Sequence, residues 1–317
     1  MKGEVVLNKI TQHKVGVVYD EYGEILKTVA IKNNEDIEVV NKKRKLNDTQ
    51  LKYINNKNDK YDYDRKLGGF IHMAYVKNEL LFNEIGIDRA NISRLIYLAT
   101  YMNYSSEISP GLLVKYGRFK EVKALTRSEL MKLLKLSERA FKLFLSDVIK
   151  CGLLHTKDKK YYLNTEYFNK GVSKFNSNEY TRIYINTTRQ LYENCSARSH
   201  KRLSYIFQLI PKLHTETNMI LHNPYVDTIE SENKMNLKDI CSFLRISDDN
   251  NGNGKKLLKE LLKFTVKVDG CTTYLLTYVT VEDGGGKNDY FVVNPQVIWS
   301  GKDVDMAQDI ITQLFFN

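Results

Sequence analysis

The chain has 317 residues, 42% of them apolar and 11% aromatic, with 48 Lys and Arg against 38 Asp and Glu, a net charge of +10. That is material for two ordinary cores, and the basic balance suits a polyanion such as nucleic acid or an anionic membrane surface. No run approaches the roughly 18 apolar residues of a membrane span, and MKGEVVLNKI has neither the apolar stretch nor the cleavage site of a secretion signal, so a cytoplasmic protein without membrane contact is expected.

In chain order, 15–19 and 25–31 read as two strands around the Gly-containing loop 20–24, an N-terminal β-hairpin over 1–31. Residues 32–66 turn to Asn, Asp, Lys and Tyr, with the basic run Lys42-Lys43-Arg44-Lys45 inside. Such a composition buries little and reads as a mobile basic linker. A strand over 70–76 and a helix over 89–104, with Ile92, Leu95, Ile96, Leu98, Ala99 and Met102 at helical spacing, open the first compact unit, 67–174.

The most informative stretch is 125–171. Thr126 and Glu129 have the spacing of a capping box, and Leu130, Leu133 and Leu134 form a short apolar stripe. Lys135 and Leu136 make a corner, Ser137 is a good N-cap, and Gly152 a good stop. In the helix between them, Ala140, Phe141, Phe144, Leu145, Val148 and Ile149 are expected to face inward, opposite Glu138, Arg139, Lys142, Ser146 and Lys150. A short hairpin follows, turning at Lys157-Asp158-Lys159-Lys160. Helix, turn, helix, hairpin is the winged-helix order, in which the second helix enters a DNA major groove.

The second half, 175–317, repeats the first. Lys201-Arg202-Leu203-Ser204-Tyr205-Ile206 aligns with Ser93-Arg94-Leu95-Ile96-Tyr97-Leu98. The block from Met235 to Ser247 aligns with that from Leu125 to Ser137, and Asn294-Pro295-Gln296-Val297-Ile298-Trp299 with Asn164-Thr165-Glu166-Tyr167-Phe168-Asn169. The offsets only grow along the chain, as insertions require, and the extra length falls at 248–254 and around 282–287. A first strand is expected within 175–186, a basic approach over 189–202, a cap at Asn236 with Asp239, and a helix over 255–264. That helix turns Leu257, Leu258, Leu261 and Leu262 inward and Lys255, Lys256, Lys259 and Lys263 outward. The end, 306–316, is an amphipathic helix in want of a hydrophobic partner, the chain's own core or a second protomer. The fold expected is α+β and predominantly helical, a tandem of winged-helix domains behind an N-terminal hairpin.

Enzymatic motifs fail on inspection. Gly254-Lys255 and Gly286-Lys287 lack the leading glycine and the hydroxyl residue of a phosphate-binding loop, and no dinucleotide fingerprint or nucleophile elbow exists. Cys151, Cys195, Cys241 and Cys271 are too widely spaced for zinc and read as thiols, and the six histidines are scattered. No enzyme, no metal and no cofactor is expected.

Several phrases resemble the winged-helix replication initiators and regulators of plasmids and phages of Gram-positive bacteria. They are Gly16-Val17-Val18-Tyr19-Asp20-Glu21-Tyr22-Gly23-Glu24-Ile25-Leu26, Gly68-Gly69-Phe70, the run from Arg94 to Tyr104, and Tyr162-Leu163-Asn164 through Phe168-Asn169-Lys170-Gly171. The resemblance covers roughly 15–171, and the two-domain layout is similar to iteron-binding plasmid initiators. It implies a replication initiator that binds repeated origin DNA; a promoter-binding regulator and a protein-binding adaptor are the alternatives. The partner expected is double-stranded DNA, with a homodimer or a replication-machinery protein besides. On the residues themselves, Ser137, Glu138, Arg139 and Lys142 are expected at the bases. Lys157, Lys159 and Lys160 are expected on phosphate or in the minor groove. Arg202, Lys255, Lys256, Lys259 and Lys287 do the corresponding work in the second half.

Overall fold

The computed structural model describes residues 14–19, 25–31, 48–74, 86–104, 109–117, 121–171, 180–246, 252–283, 286–301 and 303–315. The chain forms two units, Met1–Ile54 and Asn55–Asn317. In the first, β1 (Lys14–Tyr19) pairs antiparallel with β2 (Ile25–Ile31), the register shifting between Val18 and Tyr19. The loop expected between them, and the basic run 42–45, lie outside the described residues.

The expected linker is replaced in its second part by α1 (Asp48–Lys66), a helix of 19 residues that runs into the second unit. Its polar composition hides how it is held. The last turn does the anchoring, with Tyr63 buried edge-to-face on Tyr184 at 5.6 Å. Asp64 there accepts hydrogen bonds from Tyr184 Oη at 2.8 Å and Arg182 Nη1 at 3.2 Å.

The second unit is built on a four-stranded antiparallel sheet in the order β14-β9-β3-β8. The central pair is β3 (Phe70–Ala74) and β9 (Tyr180–Tyr184); β8 (Phe168–Asn169) flanks β3 and β14 (Ile298–Trp299) flanks β9. Its register has a two-fold pattern. His72 lies opposite Arg182 across the centre, His72 pairs outward with Asn169, and Arg182 pairs outward with Trp299. The next rung repeats it, Met73 with Phe168 and Ile183 with Ile298. The first strand of each half thus carries the last strand of its own half. The two halves share one sheet and one hydrophobic core, so they are not two separately cored domains.

Helix α2 (Arg89–Ala99), capped by Asp88, packs on α6 (His200–Gln208), and Ser93 Oγ donates to the His200 carbonyl at 2.7 Å. Between β9 and α6, where a basic approach was expected, lies α5 (Ile185–Asn194). It burns no charge on solvent: Thr187, Thr188, Leu191 and Tyr192 are buried, and Arg189 grips Thr100 through Nε at 3.0 Å and lies 3.9 Å over the Tyr101 ring. Tyr97, Tyr192 and His200 form a continuous stack with centroids 4.0 and 4.1 Å apart. The C-terminal helix α9 (Val304–Leu314) finds its hydrophobic partner in the protein's own core, burying Ala307, Ile311 and Phe315.

Matching backbone bonds recur in the two halves beyond the sheet. Leu113 N donates to Tyr161 O as Ile220 N does to Phe291 O, and Leu125 N to Leu113 O as Met235 N to Ile220 O. Asn164 N bonds Leu153 O as Asn294 N bonds Leu275 O. The two asparagines form the same local turn, accepting from Glu166 N and Gln296 N.

Burial leaves a signature in acid. Burial holds His72 down to about 4, helped by the Arg182 charge, and burial with the Arg94 charge holds His200 down to about 4. The unfolded chain titrates these groups near pH 6.5, so between those values it binds more protons than the folded one. Stability therefore falls as pH drops from about 6.5 to 4, by on the order of 3 kcal/mol per histidine, and the contribution is intact above that window. His200→Phe, which keeps the stack on Tyr192 and cannot be protonated, should flatten the fall of the urea midpoint between pH 7 and pH 4. An unchanged slope contradicts this.

Candidate nucleic-acid interface

In the first half, α3 (Arg127–Leu134) starts from the expected capping box. Glu129 Oε2 accepts from Thr126 N at 2.8 Å, and Thr126 Oγ1 accepts from Glu129 N at 3.3 Å. Glu129 also pairs with Lys115 on the hairpin of β4 (Val114–Tyr116) and β5 (Val122–Ala124). That hydrogen bond, with those from Thr126, lowers its carboxyl to about 2. Lys135 closes α3 in the left-handed region at φ 53°, and Ser137 caps α4 (Glu138–Lys150) by accepting from Ala140 N.

On α4, Phe141, Phe144, Leu145 and Val148 are buried, as expected. Ile149 is not: it sits at the edge of the stripe in the last turn and is 43% exposed. The outward face carries Arg139, Lys142, Ser146 and Lys150, with Leu143 65% exposed among them. Glu138 lies between Arg127 at 3.9 Å and Lys142 at 3.6 Å, so this carboxylate neutralises part of the face.

Gly152, at φ 68°, reverses the chain into β6 (Leu154–Lys157), which pairs with β7 (Lys160–Leu163). Asp158 and Lys159 form the turn at φ 51° and 60°, as a two-residue hairpin requires. Lys157 stands directly opposite Lys160, an arrangement of like charges that is unfavourable without an anion. Lys159 and Lys160 also line a cleft of about 470 Å³ with Arg127 and Thr126. The hairpin tip and the N-terminus of α3 thus form one basic surface. Sequence reading missed Arg127, although its place just after the cap was a usable signal.

The second half repeats the module. Asn236 and Asp239 form the capping box of α7 (Leu237–Phe243), and Arg245 takes the left-handed corner at φ 51°, as Lys135 does. Helix α8 (Asn253–Leu261) buries Leu257 and Leu261 and exposes Lys255, Lys256 and Lys259, with Lys263 beyond its end. Leu258 and Leu262, expected inward, are half-buried at the margins of the stripe. Arg202 is drawn into an ion pair with Glu260 at 2.6 Å, which also holds Lys263 at 2.8 Å. Arg202 nevertheless lines a cleft of about 380 Å³ with Arg198, Lys201 and Lys256; Arg198 and Lys201 were not singled out from sequence.

Two hairpins follow α8. The first, β10 (Thr265–Val268) with β11 (Cys271–Tyr274), is an insertion without counterpart in the first half and is clamped down. Gln190 bonds both the N–H and the carbonyl of Lys267, at 2.8 and 3.0 Å, and Lys66 pairs with Asp269. The second, β12 (Leu276–Asp283) with β13 (Gly286–Val293), occupies the place of β6–β7, with strands of eight residues instead of four. Lys287 is on β13 opposite Glu282; its side chain lies outside the described residues. Among the described residues, Arg139, Lys157, Lys159, Lys160, Lys255, Lys256 and Lys259 form no ion pair.

His214 and His222 have separate partners, Thr217 with the Val226 carbonyl for one and Asp239 for the other. Among the described residues no three His, Cys, Asp or Glu side chains gather as a metal site needs, and no helix is long and apolar enough to cross a membrane. Comparison of the chain with known protein families, characterised proteins and solved structures finds no match.

The caps set the pitch of both modules. Thr126→Ala and Asn236→Ala should each cost about 1 kcal/mol in urea unfolding, the usual worth of an N-cap oxygen; no change would show that neither cap holds its helix.

Proposed function

We propose that the chain is a sequence-specific duplex DNA-binding protein, built as two winged-helix units, with α4 and α8 as the helices that enter the major groove. The observation that carries the reading is the repetition of one module with the same electrostatic outcome. In each half the second helix buries an apolar stripe and turns unpaired cations outward, and in the first half the hairpin tip carries Lys157, Lys159 and Lys160, the last two lining a cleft with Arg127 at the start of α3. Unpaired cations on a rigid frame are what phosphates neutralise, and the release of counterions drives that association. Phosphate contacts fix position; the choice of sequence falls to side chains at the groove, here Arg139 and Lys142, with Leu143 suited to a thymine methyl. The resemblance to plasmid and phage initiators makes repeated origin DNA the target of this proposal; a promoter operator uses the same surface.

Leu143, exposed in the middle of the outward face of α4, favours a second reading, an adaptor that docks a protein on α4, since an exposed apolar side chain on a helix face suits a partner's groove. Salt separates the two. Affinity for duplex DNA should fall steeply between 50 and 200 mM salt, about 10³-fold or more if six or more phosphates are neutralised. Arg139→Glu with Lys142→Glu, and separately Lys255→Glu with Lys256→Glu, should each weaken binding at least about tenfold and reduce the salt slope. Affinity indifferent to salt and to both variants overturns the DNA reading and favours the adaptor.

A further inference from the structure

We infer that Lys170 is the floor of a binding site for a small tetrahedral dianion, phosphate or sulfate, walled by Tyr104 and Tyr116. The site is independent of the DNA reading above. Lys170 follows the edge strand β8 and is 5% exposed. Its ammonium lies 4.8 Å from the centre of the Tyr104 ring and 5.6 Å from that of Tyr116, and it forms no hydrogen bond or ion pair with a described residue. Ring faces offset only part of what taking an ammonium out of water costs. Both rings are themselves about half exposed, at 44% and 46%, so the ammonium lies beneath a surface layer of aromatic side chains.

The neighbouring charge has the same sign. Arg189, on α5, holds Thr100 through Nε and Nη2, which leaves the hydrogens of Nη1 without a described acceptor. Burial first, and the Arg189 charge second, hold the Lys170 amine down to about 8. Tyr101, under Arg189, and Tyr104, over Lys170, both follow the end of α2, so the two cations gather at one turn of the chain. Carboxylates on the adjoining elements are taken elsewhere. Glu121, in the hairpin that carries Tyr116, pairs with Lys123 at 2.7 Å, and Glu193, on α5, accepts from Tyr97 Oη at 3.0 Å. Nor does the repeated fold require a cation here. The aligned residue of the second half is Ser300, whose hydroxyl donates to Thr181 Oγ1 at 2.8 Å. Two adjacent cations match the charge of a dianion, and the ammonium and Nη1 supply donors to its oxygens.

The experiment follows the Lys170 amine in the full-length chain by NMR of carbon-13-labelled lysine, with Lys170→Met identifying its signal. The titration is run at matched ionic strength in chloride, in inorganic phosphate, in sulfate, and with a short DNA duplex. In chloride the amine should titrate near 8. Phosphate and sulfate should each raise that value, tightening proton binding at least about tenfold, because a bound anion favours the charged form. Phosphate should also raise the urea midpoint of the parent chain more than that of Lys170→Met, which keeps the apolar stem and lacks the charge. A titration identical in chloride, phosphate and sulfate overturns the inference, as does equal stabilisation of both chains. A response to the duplex alone overturns it too, and gives Lys170 to the DNA surface. Failure of α4 and α8 to bind DNA leaves the site untouched.

Discussion

Everything in the second unit depends on the pairing of β3 with β9. These two strands come from different halves of the chain, and neither half closes its part of the sheet without the other. Arg182, at the centre of the pair, makes the dependence explicit. Its guanidinium donates to the Trp299 carbonyl at 3.2 Å, to the Gly301 carbonyl and to Asp64 at 3.2 Å. One buried cation thus ties the central strand to the edge strand, the C-terminal turn and α1. A charge so deeply buried is tolerable because two carbonyls and a carboxylate give each of its three nitrogens a partner. Gly301 belongs to the same knot: a Cβ there would meet the Trp299 ring at 2.3 Å, so only glycine lets the chain pass.

A shared sheet has a consequence for the surface. Two recognition modules on separate cores would be joined by a tether, and their joint binding would be a matter of effective concentration. Modules grown from one sheet are held at a set separation and angle, so on the proposed reading ordering them would cost little on binding. The insertions respect that frame. The hairpin β10–β11 is clamped on α5 by Gln190, and the lengthened β12–β13 extends the second half at its periphery. The core is left intact, and the margins vary, which is where binding preferences change at least structural cost.

What could be read from sequence was local. The capping boxes at Thr126 and Asn236, the glycine stop at Gly152, the stripe of Phe141, Phe144, Leu145 and Val148, and the turn at Asp158-Lys159 are each written within a few residues. What escaped needed partners far along the chain. Helix α1 looked like solvated tether because its anchor is Arg182, more than a hundred residues away. Arg202 looked like a cation awaiting phosphate, but it shares Glu260 with Lys263; Arg189, read only as the start of a basic approach, is spent on Thr100 and Tyr101. The repeat was visible in three short blocks, but the joining of its copies in one sheet was not, since β3 and β9 carry no sign of which strand they will choose.

The claim that both halves form one cooperative body is tested most directly through the single tryptophan. Trp299 is 1% exposed on the edge strand of the second half, whereas far-UV circular dichroism weighs the helices of both halves. Urea unfolding followed by the two signals should give coincident transitions with one midpoint, as two-state behaviour requires. A dichroism curve with two steps, only one of which coincides with the Trp299 signal, would contradict the shared core.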